Sequence, residues 1–306
     1  MDKLLFVGST VADVVLYTPA LPKPGDDLCL QRQQVALGGC AYNAFTAARL
    51  SSHQPCHLAS PIGTGTWGDW VRTALAEQGI SSVIPPVDAP NGCCYCLVTP
   101  DGERSFLCEH GAEYAFAPQW LNTLTEGYAA VYFCGLEIEE STGDVLLDWL
   151  ERRPAQRLYF APGPRLCRIP PRKMARIIDL HPTFHLSEGE ALQFTRCDDP
   201  ADAAALIRSL THGDVVITLG SRGAYCLDEH GGALIPGMHV PVVDTIGAGD
   251  SHIGAIMAFQ AEGASLRDAV ECANLVSAAV VSQSGAALDP GHWQCFCREY
   301  GITIQG

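Results

Sequence analysis

Two glycines stand directly before a helical pattern in the stretch Gly247-Ala248-Gly249-Asp250. Glycine lets backbone N–H groups approach an anion closely, and a helix N-terminus carries about half a positive charge. An aspartate in the first helical turn would be ionised and could take a proton from an attacking hydroxyl. The stretch therefore predicts an anion hole beside a general base. The alternative is an ordinary helix cap, where aspartate is also favoured.

Fourteen cysteines raise the question of a metal centre or of disulfides. Cys93 and Cys96 have C-x-x-C spacing, but zinc needs four ligands and the sequence offers no second C-x-x-C or H-x₃-H to complete the set. The N-terminal apolar run is short and ends at Gly8, which predicts a first strand and not a secretory signal. We therefore expect reduced thiols in a cytoplasmic protein, without structural zinc.

The charge balance limits the partners. Nineteen Lys and Arg residues against 34 Asp and Glu residues give a formal net charge of −15, whereas nucleic acid and anionic membranes need a basic face. We expect neither as a partner, and no apolar run approaches the ~20 residues of a membrane-spanning helix. An apolar fraction of 47% is typical of a globular protein with a large core.

Short apolar strands alternate with helical patterns along most of the chain. The sequence predicts strands at 4–8, 57–62, 129–134, 158–161, 215–219 and 224–227, and helices at 41–50, 67–78, 143–150, 173–180, 251–261 and 266–282. This alternation indicates an α/β fold with a mostly parallel sheet and helices on both faces. In such sheets the ligand binds beyond the carboxyl ends of the strands.

Two segments depart from that alternation. Residues 13–37 contain several prolines and then a polar, strand-like run at 28–35, and residues 93–109 form a hairpin pattern around an Asp-Gly turn. Strands outside the βα alternation predict a small side sheet that acts as a lid, formed by about 13–37 and 90–110. We expect one domain over residues 1–306.

Several motifs together resemble one known family. Asp-Thr-x-Gly-Ala-Gly-Asp at 244–250 and Gly-Gly-x-x-x-Asn at 38–43 are similar to the C-terminal and N-terminal signatures of the ribokinase (PfkB) family of carbohydrate and nucleoside kinases. The segments 62–68, 218–224, and Asn274 with 284–286 resemble further landmarks of that family, in its order. The resemblance spans essentially the whole chain and implies a ribokinase-like three-layer α/β/α fold.

The resemblance implies a role for each matching residue. Asp250 is similar to the catalytic base, which deprotonates a substrate hydroxyl for in-line attack on the γ-phosphate of ATP. The backbone N–H groups of Gly247, Ala248, Gly249 and Asp250 would form the anion hole.

Asp13 resembles the aspartate that binds sugar hydroxyls, because a carboxylate can accept hydrogen bonds from two adjacent hydroxyls. Gly38, Gly39 and Asn43 resemble its partners in the substrate pocket. The alternative for Asp13 is a turn aspartate.

Two further residues are candidates for substrate binding on position alone. Arg104, in the hairpin, could reach an anionic group or could be an idle turn charge. Glu137 follows a strand at the carboxyl edge of the sheet, and a solvated loop carboxylate is the slightly favoured alternative.

The resemblance also implies a nucleotide site and two cations. The nucleotide site would include Ser187, Thr218, Gly220, Ser221, Gly223, Asn274 and Gly285. Glu190 would hold Mg²⁺ through water, although Ser187 stands where the family has asparagine. The carbonyl oxygens of Asp244 and Ile246 would hold a monovalent cation such as K⁺. His252 stands where the family has phenylalanine, and its spacing from Asp250 predicts packing and not catalysis.

We therefore expect an ATP-dependent kinase that phosphorylates a hydroxyl of a sugar or sugar-like molecule and that forms a homodimer through the lid. A nucleoside kinase of the same family is the nearest alternative, with Tyr17, Tyr42, Tyr95 or Phe106 stacking on a base. A sugar phosphate substrate ranks lower, because few cations are near the site. A non-catalytic binding protein on this fold is the alternative from another class. A Rossmann dehydrogenase is excluded, because no Gly-x-Gly-x-x-Gly follows the first strand.

Overall fold

The computed structural model describes residues 3–125, 127–153 and 156–302. Within these residues the chain forms twelve strands and eleven α-helices. The strands are β1 (Leu4–Val7), β2 (Val11–Tyr17), β3 (Arg32–Gly38), β4 (Cys56–Ala59), β5 (Cys93–Val98), β6 (Arg104–Glu109), β7 (Ala130–Cys134), β8 (Arg157–Ala161), β9 (Thr183–Ser187), β10 (Val215–Thr218), β11 (Ala224–Asp228) and β12 (Gly231–Ile235). The helices are α1 (Cys40–Ser51), α2 (Gly65–Glu77), α3 (Pro118–Leu121), α4 (Gly135–Glu139), α5 (Gly143–Glu151), α6 (Pro171–Asp179), α7 (Glu188–Thr195), α8 (Pro200–Thr211), α9 (Ala248–Ala261), α10 (Leu266–Val281) and α11 (Pro290–Tyr300).

Eight of these strands form the central sheet, in the order β12-β11-β10-β9-β8-β7-β1-β4. The strands from β10 to β4 run parallel, and β11 and β12 continue the edge in antiparallel pairing. The chain turns outward in opposite directions from β1, to β4 on one side and to β7 on the other. A ligand crevice is expected at this change of direction, beyond the carboxyl ends of β1 and β7.

Alternate residues of the central strands supply two separate cores. Leu4 and Phe6 of β1 pack in one core with α1, α2, α9, α10 and α11, whereas Leu5 and Val7 pack in the other with α5, α6, α7 and α8. Successive side chains of a strand point to opposite faces, so the helices cover both faces of the sheet. The predicted α/β fold with three layers is confirmed.

The other four strands form a small sheet in the order β3-β2-β5-β6. The β5–β6 pair is antiparallel, as the Asp-Gly turn predicts, and β2 pairs with β5 in parallel. The polar strand lies at Arg32–Gly38 and not at the predicted residues 28–35, where Leu28 and Leu30 are exposed and outside the strand. The register against β2 puts Gly38 opposite Val11 and so fixes the later boundary.

The sequence analysis did not predict several elements of the C-terminal half. Strand β9, helices α7 and α8, strand β12 and helix α11 are all additional. A histidine interrupts the apolar run of β9, and β12 alternates half-buried with exposed residues, so both give weak strand patterns. Among the described residues, no helix has the length and hydropathy needed to cross a membrane.

Candidate active site

The N-terminus of α9 opens into the crevice and carries the predicted base. Gly247 caps the helix with a φ of 75°, in the left-handed region that glycine adopts without strain. A side chain there would overlap the carbonyl oxygen of Ala286. Helix α9 begins at Ala248, so Asp250 lies in its first turn, as predicted. The first turn of a helix leaves N–H groups without intrahelical acceptors, and here that turn also carries the Asp250 carboxylate. The Ala248 N–H group donates to the Thr245 carbonyl oxygen at 3.4 Å.

Asp250 meets a residue from the opposite end of the chain. The Asn43 Nδ2 atom of α1 donates to Asp250 Oδ2 at 3.0 Å, across 207 residues of sequence. Burial raises the pKa of Asp250 to about 6, and the charges of Glu137 and Glu190 add to this, whereas hydrogen bonds from Asn43 and Cys40 oppose it. A carboxylate with this pKa is ionised at neutral pH and is basic enough to accept a proton from a hydroxyl.

Asp13 on β2 is the second carboxylate of the crevice. A side chain on Gly38 would occupy the position of the Asp13 carboxylate, which explains a glycine at this point of β3. Burial raises the pKa of Asp13 to about 7, and the charge of Asp250 contributes further, whereas a hydrogen bond from Cys94 opposes the rise. Asp13 and Asp250 thus lie close enough for their charges to interact.

Asp250 faces a cavity of about 230 Å³, which we call the central cavity. Gly247, Gly249, Ser187 and Glu190 line it as well. A second cavity, of about 250 Å³, adjoins it through Thr218 and Gly249, and we call this the outer cavity. The outer cavity lies beside the N-terminus of α9, since Ala248 and Gly249 line it.

Five of the predicted nucleotide residues line the outer cavity together, namely Thr218, Gly220, Ser221, Gly223 and Asn274. Sequence reasoning missed the apolar part of the wall, which comes from Met238, Val240, Val242, Ala278 and Val281. Two predicted residues lie elsewhere. Ser187 lines the central cavity, and Gly285 lies under the small sheet.

A chain of buried hydrogen bonds connects the two cavities. His185 Nε2 lies 2.9 Å from His252 Nδ1, and His252 Nε2 lies 3.0 Å from Asn274 Oδ1. Asn274 Nδ2 donates to the carbonyl oxygens of Ile235 and Pro236, so its Oδ1 must accept. His252 therefore carries its proton on Nε2, and His185 donates from its own Nε2.

Both imidazoles of this chain are neutral. Burial lowers the pKa of His252 to about 4, and burial together with His252 lowers the pKa of His185 well below its usual range. The prediction that His252 packs away from the base is incomplete, because the side chain is also a hydrogen-bonding link beside the outer cavity.

Ser187 and Glu190 form a capping box at the start of α7. Ser187 Oγ accepts from the Glu190 backbone N–H, and Glu190 Oε2 accepts from the Ser187 backbone N–H at 2.9 Å. The spacing Ser-x-x-Glu is a known sequence signal for this motif and could have predicted it. Glu190 still lines the central cavity, where it fits a magnesium ion held mainly by phosphate oxygens and water. No cluster of three or more acidic, histidine or cysteine side chains among the described residues could hold a metal by itself.

The Asp244 side chain joins three segments of the chain. Its carboxylate accepts from the backbone N–H groups of Ile246 at 3.0 Å and Gly285 at 3.2 Å. Arg104 reaches it from the small sheet, with Arg104 Nη2 3.0 Å from Asp244 Oδ1. Arg104 is therefore neither an idle turn charge nor an unpaired cation. It also lines a cleft under the small sheet, together with Asp13.

Glu137 is fully buried at the start of α4, so a solvated loop carboxylate is wrong for it. Its Oε1 accepts from the Ser9 backbone N–H at 2.7 Å, and its Oε2 accepts from Cys134 Sγ at 2.6 Å. Through the bond to Ser9, Glu137 holds the loop after β1 in place. It does not line the central cavity, the outer cavity or the cleft. The contacts that the structure shows for Glu137 therefore position the loop after β1, and its contact with substrate stays a prediction.

Solved structures of the same architecture define the fold class. A ribokinase from Thermotoga maritima superposes with a TM-score of 0.84 at 21% identity, covering 97% of this chain and 100% of that chain. A Burkholderia thailandensis nucleoside kinase in complex with inosine superposes with a TM-score of 0.77 at 18% identity, covering 98% and 97%. The protein has the ribokinase fold.

Sequence comparison then gives the family. Residues 1–292 match the model of the pfkB family of carbohydrate kinases, and the chain belongs to this family. An uncharacterized sugar kinase of Escherichia coli K12, YegV, is 34% identical over 300 residues, which cover 94% of this chain and 91% of that protein. The resemblance drawn from the motifs is confirmed.

Proposed function

We propose that the protein transfers the γ-phosphoryl group of ATP to a hydroxyl of a free sugar or sugar-like molecule, with Asp250 as the general base. The observation that carries this proposal is the position of Asp250. A carboxylate with a pKa of about 6 lies in the first turn of α9, beside the central cavity and held by Asn43.

The residues act in three ways in this proposal. Asp13 accepts hydrogen bonds from the sugar hydroxyls, and Asp250 takes the proton of the attacking hydroxyl. The N–H groups of Gly247, Ala248, Gly249 and Asp250 stabilise charge on the transferring phosphoryl group. The small sheet covers the cleft and excludes water, which would otherwise accept the phosphoryl group.

ATP is proposed to place its base in the outer cavity and its phosphates in the central cavity. Mg²⁺ neutralises phosphate oxygens during such a transfer, and Glu190 would hold it through water. A monovalent cation such as K⁺ would be held by the carbonyl oxygens of Asp244 and Ile246. The Asp244 carboxylate supports this loop, since it ties Ile246 to Gly285.

A nucleoside is the second candidate acceptor. Tyr17 and Phe106 line the cleft beside Asp13, where they could stack on a base. Tyr42 does not face this cleft, because it is buried and its hydroxyl donates to Gln78. Tyr95 packs against the core that contains α1 and α9.

We further propose a homodimer through the small sheet. Strand β6 is an edge strand, and Leu107 on it is 64% exposed. Exposed edges of this kind are generally covered by another chain or element. A monomer in light scattering at working concentration would contradict the dimer. The cytoplasmic location stays a prediction.

The test of the function is ADP release from Mg·ATP across free sugars, nucleosides and sugar phosphates. We expect turnover on free sugars, and a kcat lowered about 10²–10⁴-fold in Asp250→Asn, with ATP binding retained. Near wild-type kcat in Asp250→Asn would contradict the base assignment. Binding of a sugar without turnover would favour the non-catalytic alternative.

A further inference from the structure

The face of the small sheet that covers the cleft carries two thiols in contact. Cys94 of β5 and Cys108 of β6 are directly opposite in the antiparallel register, and Cys108 Sγ lies 3.1 Å from Cys94 Sγ. Directly opposite residues of such a pair have Cα atoms about 4.5–5.5 Å apart, which is within the range that a disulfide spans.

These thiols share a face with the acceptor carboxylate. Side chains alternate between the two faces of a strand, and Asp13, Cys96 and Phe106 all line the cleft. Cys94 pairs with Asp13 in register on the same face, and hydrogen bonding by its thiol opposes the rise in the pKa of the Asp13 carboxyl group. The side chains of Cys108, Cys94 and Asp13 therefore lie next to one another in a row across the small sheet.

The two thiols differ in their access to solvent. Cys108 is exposed, whereas Cys94 is partly buried. Burial, together with the hydrogen bond from Cys108, raises the pKa of the Cys94 thiol. While the β6 edge is uncovered, Cys108 is therefore the sulfur that meets an oxidant first, and Cys94 is the neighbour that can resolve the product.

We propose that Cys94 and Cys108 form a reversible disulfide under peroxide, and that this oxidation weakens acceptor binding at Asp13. The sulfur of the Cys108 thiolate attacks one oxygen of hydrogen peroxide, which breaks the O–O bond and leaves a sulfenic acid; the departing hydroxide becomes water. The Cys94 sulfur then attacks the sulfenic sulfur, the S–S bond forms and a second water leaves with the two remaining protons. Two electrons pass from the two thiols to the peroxide, and Asp13 loses its S–H donor.

The effect on activity rests on the proposed function, but the linkage itself does not. Exposed disulfides are generally the labile ones, so dithiothreitol should restore the thiols. Without the S–H donor, Asp13 holds its proton more strongly and accepts hydroxyl hydrogen bonds less well. We expect the KM for the acceptor to rise about five- to tenfold, with the KM for ATP unchanged.

The experiment treats the full-length protein with hydrogen peroxide and maps the linkage by peptide mass spectrometry without reduction. We expect a Cys94–Cys108 peptide pair within one chain, which disappears with dithiothreitol. Cys108→Ser should keep basal activity and lose both the linkage and the KM change. Cys295→Ser, at an exposed thiol on α11, is the matched control and should keep both.

Three results would overturn the proposal. One is that Cys94 and Cys108 stay alkylatable while Cys295 is oxidised. Another is a linkage between two chains, seen as a dimer on a non-reducing gel. The third is a mapped linkage with an unchanged KM for the acceptor. If no acceptor is phosphorylated, the proposed function fails, and the mapped linkage still decides whether the thiol pair is a redox site.

Discussion

The outer cavity and the cleft under the small sheet are lined by different kinds of residue. The outer cavity has backbone, small residues and apolar side chains around Asn274, and the buried imidazole that lines it, His252, is neutral. The cleft and the adjacent helix N-terminus bring together Asp13 and Asp250, whose pKa values are both raised by burial. The outer cavity thus offers a mostly apolar wall, whereas the cleft side holds two carboxyl groups with pKa values of about 6 and about 7.

Because the two sites differ in this way, we expect substitutions in each to impair a different property of the enzyme. Changes on the cleft side should alter acceptor use and pH dependence while ATP binding stays intact. Changes on the outer side should alter ATP binding while the pH profile stays intact. The following variants test that separation, with Asp250→Asn as the reference for lost chemistry.

Gly38→Ala should give the largest effect on the cleft side. The new methyl group overlaps the Asp13 carboxylate and displaces it. We expect kcat/KM for the acceptor to fall about 100-fold, since small displacements of a positioning group cost that much. Steady-state kinetics with either substrate varied would measure this.

Gly127→Ala is the matched control, because a side chain there meets nothing within 4 Å. It should leave both KM values unchanged. An equal loss of ATP affinity in Gly38→Ala would show that the two sides are not separate, and thermal unfolding would reveal whether the fold itself had failed.

The pH dependence of kcat/KM should give an intermediate effect. Asp250 must be ionised to act as a base, so activity is full above its pKa of about 6 and falls about tenfold per pH unit below it. If Asp13 must also be ionised, with a pKa of about 7, the fall begins at higher pH and steepens towards a hundredfold per unit.

Asp13→Asn distinguishes these two cases. Its residual activity should follow a single ionisation near pH 6, which a pH–rate profile would measure. A profile with the wild-type slope in this variant would show that Asp13 does not contribute by titration.

His252→Phe should give the smallest effect. It removes the donor to Asn274 and the acceptor of His185, but Asn274 keeps its bonds to Ile235 and Pro236. We expect the KM for ATP to rise about three- to tenfold with little change in kcat. His230→Phe, at a side chain that is 78% exposed, is the control and should match the wild type.

The sequence predicted what depends on local pattern. The glycines and aspartate of 247–250 predict a helix N-terminus, and the Asp-Gly turn predicts the β5–β6 hairpin. Neither needs information from elsewhere in the chain, because backbone conformation and helix start are set within a few residues.

The remainder depends on contacts between distant segments. Glu137 is buried where it accepts a hydrogen bond from Ser9, 128 residues away in sequence. His252 is a hydrogen-bonding link because it contacts His185, 67 residues away. No spacing along the chain reports such pairs. The capping box of Ser187 and Glu190 is the exception, since its local signal was available.

The chain of buried hydrogen bonds through His185 and His252 offers a way to observe the outer cavity directly. Each imidazole keeps an Nε2–H proton that is buried and hydrogen-bonded, so its exchange with water is slow. Such protons give proton resonances far downfield of the amide region, in a window that is otherwise nearly empty. Occupancy of the cavity by a nucleotide would shift the His252 signal first, because its partner Asn274 lines the wall. Two side chains in the core would thus act as built-in spectroscopic reporters of nucleotide arrival.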